Sequence, residues 1–365
     1  MRLARQETSR HPLVAPLASA RVDDLADARQ RIDAIDAEVL RLIEERLRVV
    51  EDVRRAKSGP PLDPAREHEL LAKHQADSLI EPGDVEAIFR AVMGAALRRQ
   101  GGLHVAYLGP EGTWSHRAVQ QRFGSGAQGI PRPDLEAVVD AFVGGQAGHA
   151  VVPVHNSATG PILEGLRLVQ HRPVSVVGRM DLHVPQALLG PDGPIHAVHS
   201  HPEALQQCRE ALKQLAPGAR RVAAASTAQA LQDAVVAGEH AIGDADQAKL
   251  HGVQVRVPVL AESRTRFLIL GQEATRPTGN DRTMVVLRIK DEAGSLSRCL
   301  DVMAHHGVDL RWIQAMPCPG APADTEFMME LNGHREDGAM AAALGDLHAD
   351  ALAVRVLGSY PVLDR

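Results

Sequence analysis

Aromatic side chains are nearly missing from this chain of 365 residues: they make up 2% of it, as two Trp, two Tyr and five Phe. Its cores must be built from Leu, Val, Ile and Ala, within an ordinary hydrophobic fraction of 44%. Cysteine is scarce too. Cys208, Cys299 and Cys318 lie far apart, which excludes a disulfide framework and a zinc-ligand spacing and fits thiols in a reducing cytoplasm. No run of about 18 apolar residues occurs, so no membrane span is expected. Charge of one sign is not in excess either: 40 Lys and Arg face 46 Asp and Glu, a net charge of −6. With no long basic block, a general nucleic-acid binder is excluded. No nucleotide-binding fingerprint or metal-ligand cluster is visible, so neither cofactor nor metal is expected. Residues 1–21 hold several Arg but no apolar signal-peptide core, and read as a disordered tail.

Gly and Pro are absent from Leu17 to Lys57, which allows one very long helix. It carries an apolar stripe (Leu25, Ile32, Ile35, Val39, Leu42, Val49, Val53) and is stopped by Ser58-Gly59-Pro60-Pro61. Asp63 is the expected N-cap of a second helix, with Pro64 at its first position. A third helix follows Pro82-Gly83, with helical apolar spacing from Val85 to Leu97. A helix of roughly 35 residues is about 50 Å long, too long for a compact unit of this size, so it is expected to pair with another copy in an intertwined dimer.

Polar residues interrupt these helices at chosen places: Arg29, Arg46 and Lys57 on the first, Asp63, Arg66 and Glu67 on the first turn of the second, Gln100 at the end of the third. Arg46 and Lys57 are separated by about 20° around a helix and share a face, whereas Arg29 lies roughly 100° away and suits the pocket of a dimer partner. Taken singly, each reads as a surface charge with helical neighbours. Jointly they break an apolar stripe, which costs desolvation energy unless something pairs with them. A small substrate with several negative groups is the obvious partner. The joint pattern resembles the helical chorismate mutase family across Leu25–Gln100: an early Arg, Arg-x₁₀-Lys, Asp-x₂-Arg-Glu after the turn, and Gln near the end of helix three. Ala96 stands where some members have Ser. The resemblance implies a pericyclic rearrangement of chorismate to prephenate. It implies that Arg29 (from the partner copy), Arg46 and Arg66 hold carboxylates and neighbouring oxygens. It further implies that Lys57 and Gln100 face the ether oxygen, and that Asp63 and Glu67 hold the ring hydroxyl.

Gly101-Gly102 marks a boundary. Beyond it, short apolar runs such as His104–Leu108, Ala150–Val154, Val174–Val177 and Arg266–Leu270 alternate with helical stretches, an α/β pattern in which the chain crosses between two halves and leaves a cleft. Three motifs stand out: Tyr107-Leu108-Gly109-Pro110-Glu111-Gly112-Thr113-Trp114-Ser115 between a strand and a helix, Val152-Pro153-Val154-His155-Asn156-Ser157, and Thr265-Arg266-Phe267. With Ser200-His201-Pro202, Gln206-Gln207-Cys208 and Ala225-Ser226-Thr227-Ala228 they resemble prephenate dehydratase across Val105–Leu270. The resemblance implies a two-lobed, periplasmic-binding-protein-like domain that removes CO₂ and water from prephenate to give phenylpyruvate. It also implies Thr265 as the proton donor at the leaving hydroxyl. Thr113, Ser115, Asn156, Ser157, Ser226, Thr227 and Arg266 are expected to line the substrate pocket. Two positions depart from the family: His155 stands where Glu is usual, and Gln232 where Glu is frequent. These leave two alternatives beside the dehydratase, a prephenate decarboxylase that does not aromatise, and a ligand-sensing module without chemistry.

After a polar linker, Gln272–Asn280, strands and helices follow in the order βαββαβ, a small ferredoxin-like α+β unit. It resembles the ACT regulatory domain, with Gly294-Ser295-Leu296-Ser297 at one motif and Gln314-Ala315-Met316-Pro317 at the second, where only the Pro matches. The resemblance implies phenylalanine as an effector bound near Gly294, Ser295 and Leu296, with feedback weakened or altered; a structural dimerisation module is the alternative. The expected organisation is therefore a helical mutase domain at 22–100, a dehydratase domain at 103–271 and an ACT domain at 281–361, in a cytoplasmic homodimer or tetramer.

Overall fold

A computed structural model describes residues 25–56, 62–76, 78–272, 275–318, 320–321 and 324–362. The expected disordered tail and Lys57 lie outside these residues. The first helix, α1 (Leu25–Ala56), has Asp27 in its first turn and Arg54 and Arg55 in its last, charges that offset the helix dipole. Surface pairs such as Arg41 with Glu38 and Glu45 support it. At 32 residues it is about 48 Å long. Not one of its residues is buried, and the predicted stripe stands open: Ile32, Ile35, Val39, Leu42 and Val49 are all exposed.

Helix α2 (Pro64–Ala76) begins where expected. Asp63 Oδ1 accepts from the backbone N–H of Arg66 at 3.0 Å, and Pro64 takes the first position, where its missing donor costs nothing. Helix α3 (Pro82–Arg99) starts three residues before the apolar periodicity does, because Pro82 and Gly83 form its first turn. It lies against the turn at 124–126. A Cβ on Gly126 would sit 2.6 Å from the Leu97 Cβ and 2.7 Å from the Gly94 carbonyl oxygen, so Gly126 permits this close approach.

The central segment contains β1 (Leu103–Leu108), α4 (Trp114–Phe123), β2 (Ala127–Arg132), α5 (Leu135–Val143), β3 (His149–Asn156), β4 (Gly160–Pro161), α6 (Leu163–His171), β5 (Val176–Gly190), β6 (Ala197–Ser200), α7 (Pro202–Gln207), α8 (Arg209–Leu215), β7 (Arg220–Ala223), α9 (Thr227–Ala237), β8 (His240–Gly243), α10 (Ala245–His251) and β9 (Gln254–Leu270). The strands form one sheet in the order β2-β1-β3-β9-β5-β8-β6-β7, with the short β4 paired to β3. At one end β1 runs parallel to β2 and β3; at the other, β6 runs parallel to β7 and β8. The antiparallel pair β5 and β9 joins the two ends. Here the structure corrects the expectation of short strands crossing between two lobes. The strands β5 and β9 are 15 and 17 residues long, and they weld both halves into a continuous sheet. Apolar runs revealed only their ends, because their middles carry polar residues such as His183, Glu262 and Arg264, which are exposed.

The last segment has the expected order: β10 (Asp281–Lys290), α11 (Ser295–His305), β11 (Leu310–Pro317), β12 (Asp324–Asn332), α12 (Gly338–Asp350) and β13 (Ala353–Pro361). Its antiparallel sheet is ordered β11-β12-β10-β13. One face buries Val285, Leu287, Met329 and Leu331 against Cys299 and Met303 of α11 and Leu347 of α12. The opposite face places Met284, Val286, Met328, Leu357 and Tyr360 in one core with Phe142 of α5 and Leu166 and Val169 of α6. Contact with the central sheet is close: a Cβ on Gly358 would lie 2.0 Å from the Val176 carbonyl oxygen.

Candidate functional site

A cleft of about 810 Å³ opens at the carboxyl ends of the parallel strands, the usual place for a ligand in an open α/β sheet. Each of β1, β2, β6 and β7 ends there and feeds a helix whose N-terminus borders the cleft: Thr113 caps α4, Asp134 caps α5, His201 caps α7 and Ser226 caps α9. Helices α4 and α5 belong to one end of the sheet, α7 and α9 to the other. Their free backbone N–H groups and partial positive charge favour an anion between them. Thr113 uses its hydroxyl locally, donating to the Leu108 carbonyl at 3.0 Å and accepting from the His116 N–H. Ser226 Oγ accepts from the Gln229 N–H at 3.0 Å, which leaves its own proton to donate. Thr227, the buried Ser115, the guanidinium of Arg132 and the imidazole of His201 also line the cavity.

Asn156 and Thr265 lie side by side on the cleft wall because β3 and β9 pair them in register. The Asn156 amide Nδ2 donates to Thr265 Oγ1 at 2.9 Å and to Ser263 Oγ at 3.2 Å. Its Oδ1 accepts from the backbone N–H groups of Ala158 and Thr159 and from Gln207 Nε2, which fixes which way the amide faces. Since the Thr265 oxygen already accepts a hydrogen bond, its own proton is free to point into the cavity. Two glutamines stand beside this pair: Gln207, from the Gln206-Gln207-Cys208 motif, and Gln186, which no motif marks. Both line the cleft with a buried Oε1 that has no partner among the described residues. Gln186 is buried in the second half of β5, just before the apolar Ala187-Leu188-Leu189.

Ser157 and Arg266 were expected to line the same cavity and do not. Neighbours on a strand face opposite sides: Thr265 and Phe267 face the cleft, so Arg266 points to the other face. There its Nε and Nη2 donate to Asp181 at 3.0 and 3.3 Å. Burial works against the charged form of Arg266, but the Asp181 carboxylate outweighs it and raises the pKa above its ordinary value. Ser157 is exposed and accepts from the Arg264 N–H. His155 also sits off the cleft, beside Arg266. Burial, then the Arg266 charge, push its pKa down, against the pull of Asp181. Gln232 is exposed on α9, again off the cleft. Neither departure from the dehydratase pattern alters the cavity wall.

On the helical segment, Arg29 is exposed and Arg46 half-buried on α1. Burial lowers the pKa of Arg46, and its buried Nη1 lacks a hydrogen-bond partner among the described residues. Gln100 ends α3, half-buried. Arg66 pairs with Glu69 at 3.1 Å on the surface. Glu67 meets Arg122 of α4 at 2.7 Å, both almost fully enclosed, and Asp63 lies 3.8 Å from Arg276. In the last segment Gly294 takes a left-handed conformation, φ 85°, at the start of α11, followed by the buried Ser295 and half-buried Leu296.

Comparison with known proteins agrees with this geometry. Residues 28–101 match the family model "Chorismate mutase type II" and residues 105–275 match "Prephenate dehydratase". The bifunctional chorismate mutase/prephenate dehydratase of Stutzerimonas stutzeri is 32% identical, over 93% of this chain and 98% of its own. Two solved structures superpose with a TM-score of 0.63: a prephenate dehydratase from Arthrobacter aurescens in complex with L-Phe, 28% identical, covering 71% of this chain and 90% of that one; and a quorum-quenching acylase, 26% identical, covering 71% and 97%. With both family models matched and a near full-length relative above 30% identity, the chain belongs to the bifunctional chorismate mutase/prephenate dehydratase family.

Proposed function

We infer that the chain carries out two consecutive reactions of phenylalanine biosynthesis: it rearranges chorismate to prephenate, then converts prephenate to phenylpyruvate. The observation that carries the second reaction is the Asn156–Thr265 pair in a cleft ringed by helix N-termini. Prephenate loses CO₂ from its ring carbon. The electron pair left behind moves into the ring and expels the hydroxyl on the far side, which leaves as water once a proton reaches it. Aromatisation supplies the driving force. In our reading Thr265 directs its O–H at that departing oxygen, because Asn156 occupies its acceptor side. Ser115, Ser226 and Thr227, with the N-termini of α4 and α9, hold the substrate carboxylates; Thr113 shapes the turn they stand on. Arg266 and Ser157 act from outside the cavity. The acylase of similar architecture shows that fold alone does not choose the reaction; the side chains at the cleft do.

The first reaction needs no acid, base or nucleophile. It needs the reactive conformer held and negative charge on the ether oxygen stabilised. Arg46, Arg66, Lys57, Gln100 and a partner copy's Arg29 are the proposed cage, supported by the match of residues 28–101 to the chorismate mutase model. Asp63 and Glu67 are the proposed hydroxyl ligands. One oxygen of Glu67 is already taken by Arg122, so the other serves the substrate. The βαββαβ unit is proposed as an ACT domain that senses phenylalanine around Gly294, Ser295 and Leu296; the L-Phe held by the Arthrobacter dehydratase favours this effector.

Incubation with chorismate tests the whole reading. Phenylpyruvate must appear; release of CO₂ with a non-aromatic keto acid, or accumulation of prephenate, would overturn it. Lys57→Ala should abolish mutase activity while added prephenate still turns over, and Thr265→Ala should do the reverse.

A further inference from the structure

We propose that Glu330, a residue of the C-terminal sheet, is a positioning residue for the dehydratase, holding the Thr265 segment of β9 in place through Arg179, Asp181 and Arg266. The proposal rests on the role given above to Thr265.

The chain of contacts is continuous. Glu330, on β12, is 1% exposed at its side chain. Its Oε1 accepts from the Tyr360 hydroxyl at 2.8 Å. Its Oε2 accepts from Arg282 at 3.1 Å and, across the interface, from Arg179 of β5 at 2.6 Å. Arg179 also donates to Asp181 at 3.0 Å, and Asp181 takes both Nε and Nη2 of Arg266. Arg266 is the residue after Thr265. The strand pairing sets Asp181 opposite Arg266 and Leu182 opposite Thr265, so the contacts pin the reverse side of the very strand segment whose front carries the Thr265 hydroxyl.

Simple structural cement would explain one or two of these contacts, but not their arrangement. Three guanidinium groups surround two carboxylates in a largely dry interface, where an ion left without its partner is strongly unfavourable. Glu330 satisfies two of the three cations and is itself supplied by the other sheet. Remove its charge, and Arg179 and Arg282 face one another with no negative charge between them. Arg179 must then turn away or draw Asp181 from Arg266. Either change frees the backbone at Arg266 and shifts Thr265 relative to Asn156. Small displacements of a catalytic group cost large factors in rate. The dehydratase therefore requires the C-terminal sheet for its turnover, and a ligand that moves β12 reaches Thr265 by this route.

The test uses the full chain with added prephenate. Glu330→Gln should lower kcat at least about tenfold with KM changed less than about threefold, and leave chorismate consumption unaltered. Arg282→Gln is the control. It removes a neighbour of Glu330 of similar burial but leaves the path through Arg179 complete, so its kcat should stay near that of the parent protein. Because either change lowers stability, both are assayed well below their melting temperatures. A double-mutant cycle of Glu330→Gln with Arg266→Lys should show strong non-additivity in kcat, as expected for members of one network. Equal losses in both single variants, additive effects in the cycle, or an unchanged kcat for Glu330→Gln would each overturn the proposal. Failure of Thr265→Ala to slow prephenate turnover would instead strike the underlying reading of Thr265.

Discussion

Asn156 is held at both ends of its amide, and that fixes the chemistry of its neighbour. Its Oδ1 is committed to two backbone N–H groups and its Nδ2 to Thr265. Asn156→Asp keeps the shape but replaces the donor with a second acceptor. The Thr265 proton should then turn back to the new carboxylate and away from the substrate, and kcat for prephenate should fall by about 100-fold or more; a kcat within threefold of the parent would reject the proton placement. His155 gives a prediction of different kind. Its pKa is depressed below the ordinary 6.5, first by burial and then by Arg266. Below that pH the unfolded chain binds a proton that the folded chain refuses, so folding stability is lost as pH falls through the ordinary value. Replacing His155 with Gln should shrink the drop in urea midpoint between pH 7.5 and 5.5; His240, also depressed by burial, leaves part of the slope in place. At this scale the motifs placed Thr265, Asn156 and Ser226 at the cleft, where they lie, but also Ser157 and Arg266, which face elsewhere. Sequence kinship groups neighbours in a motif, whereas a strand sends successive side chains to opposite faces. Period two, applied to Thr265-Arg266-Phe267, separates them without any coordinates.

At the scale of elements, α2 could be read from Asp63 and Pro64, because caps are local chemistry. The βαββαβ order was legible because only β10 needs to be a strongly apolar run; the other strands mix apolar and polar residues but are set off from the helices by turn residues. The strands β5 and β9 were not, since their length is decided by pairing with each other over distant sequence. Nor was the burial of both faces of the C-terminal sheet, although Met284, Val286 and Met328 alternate with Val285, Leu287 and Met329 in a pattern apolar on both sides. The contact depends on Gly358. Adding a methyl there places it 2.0 Å from a backbone oxygen of β5, and backbone cannot yield as a side-chain tip does. Gly358→Ala should cost about 1–3 kcal/mol, seen as a lower melting temperature. If Glu330 works as proposed, that variant should also lose dehydratase turnover while the pericyclic step survives; an unchanged melting temperature would mean that the sheets can part freely.

For the whole molecule, the decisive fact is a helix without an interior. Every residue of α1 is at least partly open to solvent, and Ile35, Leu42 and Val49 are each more than half exposed. An apolar stripe along a helix of about 48 Å is not tolerable on an isolated soluble chain; it marks a surface that another molecule covers. We propose a second copy as that molecule, since a partner's Arg29 would reach a pocket that the chain's own Arg29, roughly 100° from Arg46 around the helix, does not. Two properties should therefore change together. Leu42→Glu puts a charge in the middle of the stripe. In sedimentation analysis it should shift the protein toward monomer, and mutase activity should fall with it by about two orders of magnitude or more, as expected when a charged group is withdrawn from a transition state. Prephenate turnover should hardly move, because the residues lining that cleft, from Leu108 to Phe267, lie outside α1. Dissociation without loss of mutase activity would show that each chain builds a complete cage alone, and the assignment of Arg29 to a partner's pocket would have to be abandoned.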